Sequence, residues 1–533
     1  MATQENTTSG GAQLARELGL LALVATSVCT VIGGGINNLT VEIQESSPGL
    51  GPYVPLAFVI GAIPAIATAL CYAILATAMP RAGGGYIYIS RAVHPFVGFI
   101  ATFSKWFGLA ACVGVISYMD IPLLEAACTY LGDALGNEGA VSSALVALGE
   151  TLRLPEAKLW VPLGMVWLFW GINVLGVRTY GVTVIVLMFL MLSGGACIIV
   201  TGLSSDHQQF LSAWEAYEGQ KASAVIGSAS ITPPNLAALL KATATLFFAY
   251  IGFATISQAG GEARDPQRAL PKAFVIATVV ITGYYLLFAA AVYKAAPWEL
   301  VTALAQQGDT TAPHILGVLM PAWMASYVAL MAALALANDV PPLLLAVSRL
   351  FFSWARDGIF PRRLAVIHRK YRTPHVALGV SAIVASGVVL LCHWDQSFIG
   401  AVDIINIALL TTYMLACASV IAFPHTNPRL YSRVRFIRSR GAQVALAVIG
   451  IISVGGLLAI QFVKQLSSIP EAPVDWLKNP ALLWFVVIAL GAVVFWVMWT
   501  RRARQGWDMR AIFDTLPDEE AEAEDYGFRE PAL

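Results

Sequence analysis

Twelve stretches of this chain run for about 20 residues or more, the length of a bilayer crossing, with almost no charge. They cover roughly 18–41, 53–80, 92–119, 159–177, 179–204, 242–261, 273–293, 321–348, 375–394, 396–423, 441–463 and 480–500. A fourth and a fifth segment are separated only by Val177, Arg178 and Thr179, so that boundary is soft. Charged residues make up 12% of the chain, against about 25% in a soluble domain. The pattern predicts an all-α polytopic membrane protein with twelve transmembrane helices. Each is apolar all round, as buried spans are, so helical periodicity adds little.

An even number of crossings puts both termini on one side. With that side taken as the cytoplasm, most of the 32 Lys and Arg lie inside. Arg153, Lys158, Lys221, Lys241, Lys294, Lys464 and Lys478 fall outside, and Lys105 lies within helix 3. This is the positive-inside distribution, and it predicts a plasma-membrane protein with cytoplasmic termini. The polar N-terminus leads straight into helix 1 and reads as a tail rather than a cleavable signal. The net charge of zero implies no nucleic-acid partner. Six of the seven cysteines sit in apolar segments and Cys128 follows the third, and packing, not disulfide formation, is the expected role. No phosphate-binding loop or zinc-type Cys/His spacing is present, so neither a cofactor nor an enzymatic activity is expected.

Helix 1 contains VIGGGIN, residues 31–37. Each glycine weakens a helix by about 1 kcal/mol relative to alanine. A break frees backbone N–H and C=O groups, and in a bilayer it survives only inside protein or beside a watery cavity. Helix 6, TLFFAYIGFATISQAGG (residues 245–261), is interrupted at Gly252 and again at Gly260-Gly261. Helices 1 and 6 enter from opposite sides and lie five helices apart. That is the layout of a 5+5 inverted repeat followed by two C-terminal helices, with a transport site where the breaks meet. The expected division is a cytoplasmic tail (1–17), a first five-helix repeat (18–205), an extracellular loop (206–240) and a second, inverted repeat (241–423). A basic cytoplasmic loop (424–440), helices 11 and 12 (441–500) and a tail acidic at its end (501–533) complete it. Glycine runs also permit close helix packing, the preferred reading for Gly83-Gly84-Gly85 and Gly194-Gly195.

These residues resemble the amino acid–polyamine–organocation superfamily of transporters over nearly all of 20–425. Four blocks carry the likeness: VIGGGIN, AMPRAGGGYIYISRA (78–92), FFAYIGFATISQAGGEARDPQRALPKA (247–273) and SRLFFSWARDGIFPRRLAVIHRKYRTP (348–374). The resemblance implies a leucine-transporter-like fold, alternating access and an amino acid or related amine as substrate. It places the substrate carboxylate at Ile32, Gly33, Gly34 and Gly35. It places the amine at Phe248, Ala249 and Ile251 beside Gly252, and an aromatic gate at Phe253. The chain departs from the family at Ala254, where an acid is common, and in helix 5, which has no lysine and carries Met191 near that place. The first departure points to neutral substrates and the second away from lysine-type proton coupling.

An ionisable group at mid-membrane costs about 3 kcal/mol on insertion scales and invites a functional reading. Asp339 on helix 8, with Asn338 beside it, could hold H+ or Na+ next to helix 1; capping beside Pro341-Pro342 is the alternative. Lys105 reads as a partner for a carboxylate or as a coupling cation. Glu262, Arg264, Asp265 and Arg349 are candidates for an intracellular gate, or for ordinary interfacial anchoring. The expected function is secondary transport of amino acids, neutral ones in the sense that the sequence shows no acidic lining. The alternatives are a polyamine- or nucleobase-type transporter, or an amino acid sensor on the same scaffold.

Overall fold

A computed structural model describes residues 14–33, 35–136, 139–308, 311–395, 403–467 and 479–517. Among the described residues, twelve helices are long and apolar enough to cross a membrane. They are span 1 (Leu20–Ser46), span 2 (Gly51–Ala78), span 3 (Pro95–Gly132), span 4 (Pro155–Val174), span 5 (Val177–Ser204) and span 6 (Leu236–Gly261). Span 7 (Pro266–Ala295), span 8 (Ala322–Arg356), span 9 (His375–Trp394), span 10 (Ile404–Thr426), span 11 (Arg440–Val463) and span 12 (Pro480–Arg504) follow. Among the described residues there is no strand, only an isolated bridge between Leu18 and Ala263. The chain is an all-α, multi-pass membrane protein.

Helix boundaries follow local chemistry. Several spans begin with a proline in the first turn, where its missing N–H costs nothing. Asn235 caps span 6, its Oδ1 accepting from the Ala238 N–H at 2.8 Å. The cap moves the start of span 6 to Leu236, earlier than the apolar run at 242 suggested. The segment 206–240, expected as a loop, is largely helical: His207–Glu218 starts from an Asp206–Gln209 capping box, and Ala222–Ser228 follows.

Span 7 packs against spans 1, 2 and 5, while span 3 packs against spans 8, 9, 10 and 12. Span 1 is buried over most of its length, whereas few residues of spans 4, 11 and 12 are buried. Their exposed side chains, such as Trp167, Leu168, Ile452, Val493 and Trp496, are apolar, as a lipid-facing surface requires. Gly194 and Gly195 lie hard against Met331 and Tyr284, which fits the packing role expected of them.

Beyond span 12 the chain folds back. Phe513 and Leu516 are buried, Arg91 lies 4.8 Å above the Phe513 ring, and the Thr515 carbonyl accepts from Arg91 Nε at 3.3 Å. The start of the tail is therefore docked; its acidic part, 518–533, lies outside the described residues. Replacing Phe513 by Ala removes the ring under Arg91 and is expected to speed tryptic cleavage after Arg510. An unchanged cleavage rate would show that this docking does not restrain the segment.

Candidate functional site

Span 1 is helical from Leu20 to Val31 and again from Gly35 to Ser46. The last bond of the first half runs from Ile32 N–H to the Val28 carbonyl at 2.8 Å, and Ile32 leaves the helix with ψ of 80°. Gly33 N–H has no backbone acceptor among the described residues. Gly34 lies outside them. Span 6 is interrupted in the same way. Its helix runs to Leu246, tightens into a 3₁₀ turn over Phe247–Tyr250, extends at Ile251 and resumes after Gly252.

The two breaks touch. Gly252 has φ of +126°, and a Cβ there would lie 2.5 Å from the Thr30 carbonyl oxygen. Only glycine meets both demands. Its N–H donates to Tyr413 Oη of span 10 at 3.1 Å, and its carbonyl accepts from Thr255. Ser27 Oγ donates to the Phe253 carbonyl at 3.4 Å. From span 7, Tyr285 Oη reaches the Val31 carbonyl at 2.7 Å and the Ala249 carbonyl at 2.8 Å. The Phe248 carbonyl accepts from Ile251 N–H at 3.1 Å. Phe253 is buried, 4.8 Å from the Tyr413 ring and 6.2 Å from Tyr72, centroid to centroid.

Span 8 has a break of its own. Helix Ala322–Ala337 stops, and Val340–Arg356 starts with Pro341 and Pro342 in its first turn. Prolines there cannot continue the preceding hydrogen-bond ladder. The junction holds Asn338 and Asp339 in the core. Asp339 Oδ2 presses on Gly33, where a Cβ would lie 2.6 Å from it, and Asp339 Oδ1 has no hydrogen-bond partner among the described residues. Asn338 donates to Met191 Sδ of span 5 at 3.1 Å. Asp339 and Asn338 thus share one junction, with Asp339 on the span 1 break. A buried carboxylate without a partner is costly unless a cation or a proton joins it.

Exposure differs on the two sides of the breaks. Gly35 is exposed and Phe248, Ala249 and Ile251 are half-buried, whereas Ile32, Gly33 and Phe253 are buried. On the side of the chain ends, Arg349 binds Glu262 through Nη2–Oε1 at 2.5 Å and Nε–Oε2 at 3.1 Å, both side chains fully buried. Arg264 and Asp265 are exposed and take no part in this pair. The Arg264 N–H instead bonds the Leu18 carbonyl at 2.8 Å, and Asp265 faces Arg268 at 3.8 Å. A second buried pair was not anticipated: Arg91 grips Asp357 at 2.6 and 2.8 Å, and Tyr86 Oη donates to the same carboxylate at 2.6 Å. Burial works against the Arg91 charge, but Asp357 more than offsets it, so the guanidinium holds its proton more tightly than usual. Burial and Asp357 both push the Tyr86 phenol up. Lys105, read as a partner for a carboxylate or as a coupling cation, is buried with no hydrogen-bond partner among the described residues. Asp120 is likewise buried with both oxygens unpartnered.

The sequence profile of the amino acid permease family matches residues 18–494. The chain belongs to this family. It is 24% identical to the branched-chain amino acid permease of Bacillus subtilis over 425 residues, 79% of this chain and 84% of that protein. It is 24% identical to the methylthioribose transporter of the same organism, over 91% of this chain and 93% of the relative. A vacuolar cationic amino acid transporter of Arabidopsis thaliana is 27% identical over 70% of this chain and 58% of that protein.

The geometry of this permease ranks its glycines. Gly252→Ala meets a forbidden φ and the Thr30 backbone together, and Gly33→Ala meets Asp339. Gly35→Ala has no heavy atom outside its own helix backbone nearer than Leu39 Cδ1 at 3.8 Å. Transport is expected to be abolished at 252, strongly reduced at 33 and largely retained at 35. Equal losses at all three, measured as uptake per inserted protein, would contradict the account. For the inner pair, Glu262→Gln leaves Arg349 buried without its counter-charge, a loss of about 3–5 kcal/mol. The Glu262→Gln/Arg349→Met double variant is expected to recover part of that stability in detergent; a double variant no better than the single one would show that the pair is not coupled.

Proposed function

We propose that this permease is a secondary active transporter that moves amino acids, preferably neutral ones, by alternating access. The observation that carries this reading is the contact between the two broken spans, where Gly252 meets Thr30 and the Gly33 N–H lacks a backbone acceptor. Ile32, Gly33, Gly34 and Gly35 would receive the substrate carboxylate at the start of the second half of span 1, where free N–H groups and the helix dipole favour an anion. Phe248, Ala249 and Ile251, beside Gly252, would offer carbonyls to the amine, and Phe253 would close over it. The two five-helix halves would rock as inverted repeats about these breaks. The process is translocation, with no bond made or broken.

Asp339, assisted by Asn338, would carry the coupling H+ or Na+, since its carboxylate abuts span 1 and has one oxygen without a partner. The Glu262–Arg349 pair would seal the cytoplasmic side, with Arg91–Asp357 beside it. The exposed Arg264 and Asp265 are left out of that seal. Plasma-membrane location with cytoplasmic termini is supported by the distribution of Lys and Arg. Neutral substrates fit Ala254, buried and apolar, and the branched-chain permease among the relatives. A cationic substrate is the second reading, favoured by the unpartnered Asp339 and by the cationic transporters that the chain resembles.

The test is uptake of a labelled neutral amino acid mixture into proteoliposomes, with sodium and proton gradients imposed separately. Saturable accumulation under one gradient is expected, competed by neutral amino acids better than by lysine or a polyamine. In Asp339→Asn the accumulation is expected to disappear while exchange against internal amino acid persists. Ligand binding without accumulation or exchange would favour a sensor instead.

A further inference from the structure

Tyr285 stands where both broken spans end. Its hydroxyl lies 2.7 Å from the Val31 carbonyl of span 1 and 2.8 Å from the Ala249 carbonyl of span 6. A phenol carries one proton, so it can satisfy only one of these acceptors fully at a time. The hydroxyl cannot swing elsewhere easily: the side chain is buried and its ring is held by Tyr250 at 5.2 Å and Phe58 at 5.3 Å, centroid to centroid. Tyr250 is itself fixed by donating to the Phe58 carbonyl at 2.9 Å. The result is two carbonyls at the breaks that share one buried donor. An acceptor left short there is an energetic defect that a ligand donor can repair.

We propose that Tyr285 is a positioning residue for the ammonium group of the substrate, acting through the Ala249 carbonyl. The inference rests on the reading that the amine is received by the carbonyls at the span 6 break. Without ligand, the tyrosine proton is divided between Val31 and Ala249. When an ammonium donates to the Ala249 carbonyl, the hydroxyl holds that carbonyl toward the ligand while sharing its proton with Val31, and every acceptor of the set has a donor. A ligand of the same shape without the amine leaves the set one donor short. The hydroxyl therefore does two things: it aims the Ala249 carbonyl, and it links the position of span 6 to that of span 1. The ligand class selected is a primary amine adjacent to a carboxylate. This role is separate from that of Asp339, which meets span 1 at Gly33 from span 8.

The experiment compares two competitors of labelled neutral amino acid uptake in proteoliposomes: L-leucine and 4-methylpentanoate, its deaminated analogue. The ratio of their inhibition constants measures the preference for the amine. The native protein is expected to favour leucine, and Tyr285→Phe is expected to reduce that preference by about tenfold, the scale of one hydrogen bond to a charged group. Tyr293→Phe is the control. It removes another span 7 hydroxyl that bonds a span 1 carbonyl, that of Thr40 at 2.8 Å, away from the break, and is expected to leave the ratio unchanged. A Tyr285→Phe variant that weakens both competitors equally would make the residue merely structural and overturn the proposal. If that variant does not reach the membrane, 3,5-difluorotyrosine at 285 keeps the ring and strengthens the donor. A changed ratio then supports the proposal and an unchanged ratio overturns it. A native protein with no preference for leucine would overturn the underlying reading of the amine site, and this inference with it.

Discussion

The demand that backbone polar groups be satisfied away from water governs this structure. Spans 1, 6 and 8 give up their helices at mid-course, and each freed N–H or C=O must then find a partner in protein. Tyrosine hydroxyls supply several of them. Tyr285 serves Val31 and Ala249, Tyr413 accepts from Gly252, and Tyr293 serves the Thr40 carbonyl beyond the break. An aromatic ring suits this task because its body packs among apolar side chains while its tip stays polar. The Gly33 N–H is left over among the described residues.

Charge is handled by the same logic. On the side of the chain ends, Glu262–Arg349 and Arg91–Asp357 are buried, paired and further hydrogen-bonded, the condition under which buried ions are tolerated. At the breaks, Asp339 is buried with an oxygen unpartnered. Among the described residues one set of charges is complete and the other is not. The docked start of the C-terminal tail lies on the side of these pairs, against Arg91.

The helices and both breaks were legible because they rest on composition and on glycine, which act locally. VIGGGIN and Gly252 announce their own conformations. The Glu262–Arg349 pairing was half-visible: the residues stood out as interfacial charges, but nothing in the sequence separated them from Arg264 and Asp265, which differ only in which way a short turn points them. Tyr285, Tyr413 and the Arg91–Asp357 pair were missed. A tyrosine in an apolar run looks like packing until its hydroxyl is seen to reach a carbonyl some 36 residues away in sequence or farther. The break in span 8 was signalled by Pro341-Pro342 beside Asp339, although only the acid drew a reading. The early start of span 6 depended on one cap, Asn235, outside the apolar run.

The central claim is that the paired breaks receive the substrate. The most direct measurement is a cryo-electron-microscopy density map of the protein saturated with a transported amino acid. The account predicts ligand density between Gly33–Gly35 and Ala249–Gly252, its carboxylate toward span 1 and its amine toward the span 6 carbonyls. Density for the amino acid elsewhere, with both breaks filled only by protein, would contradict it.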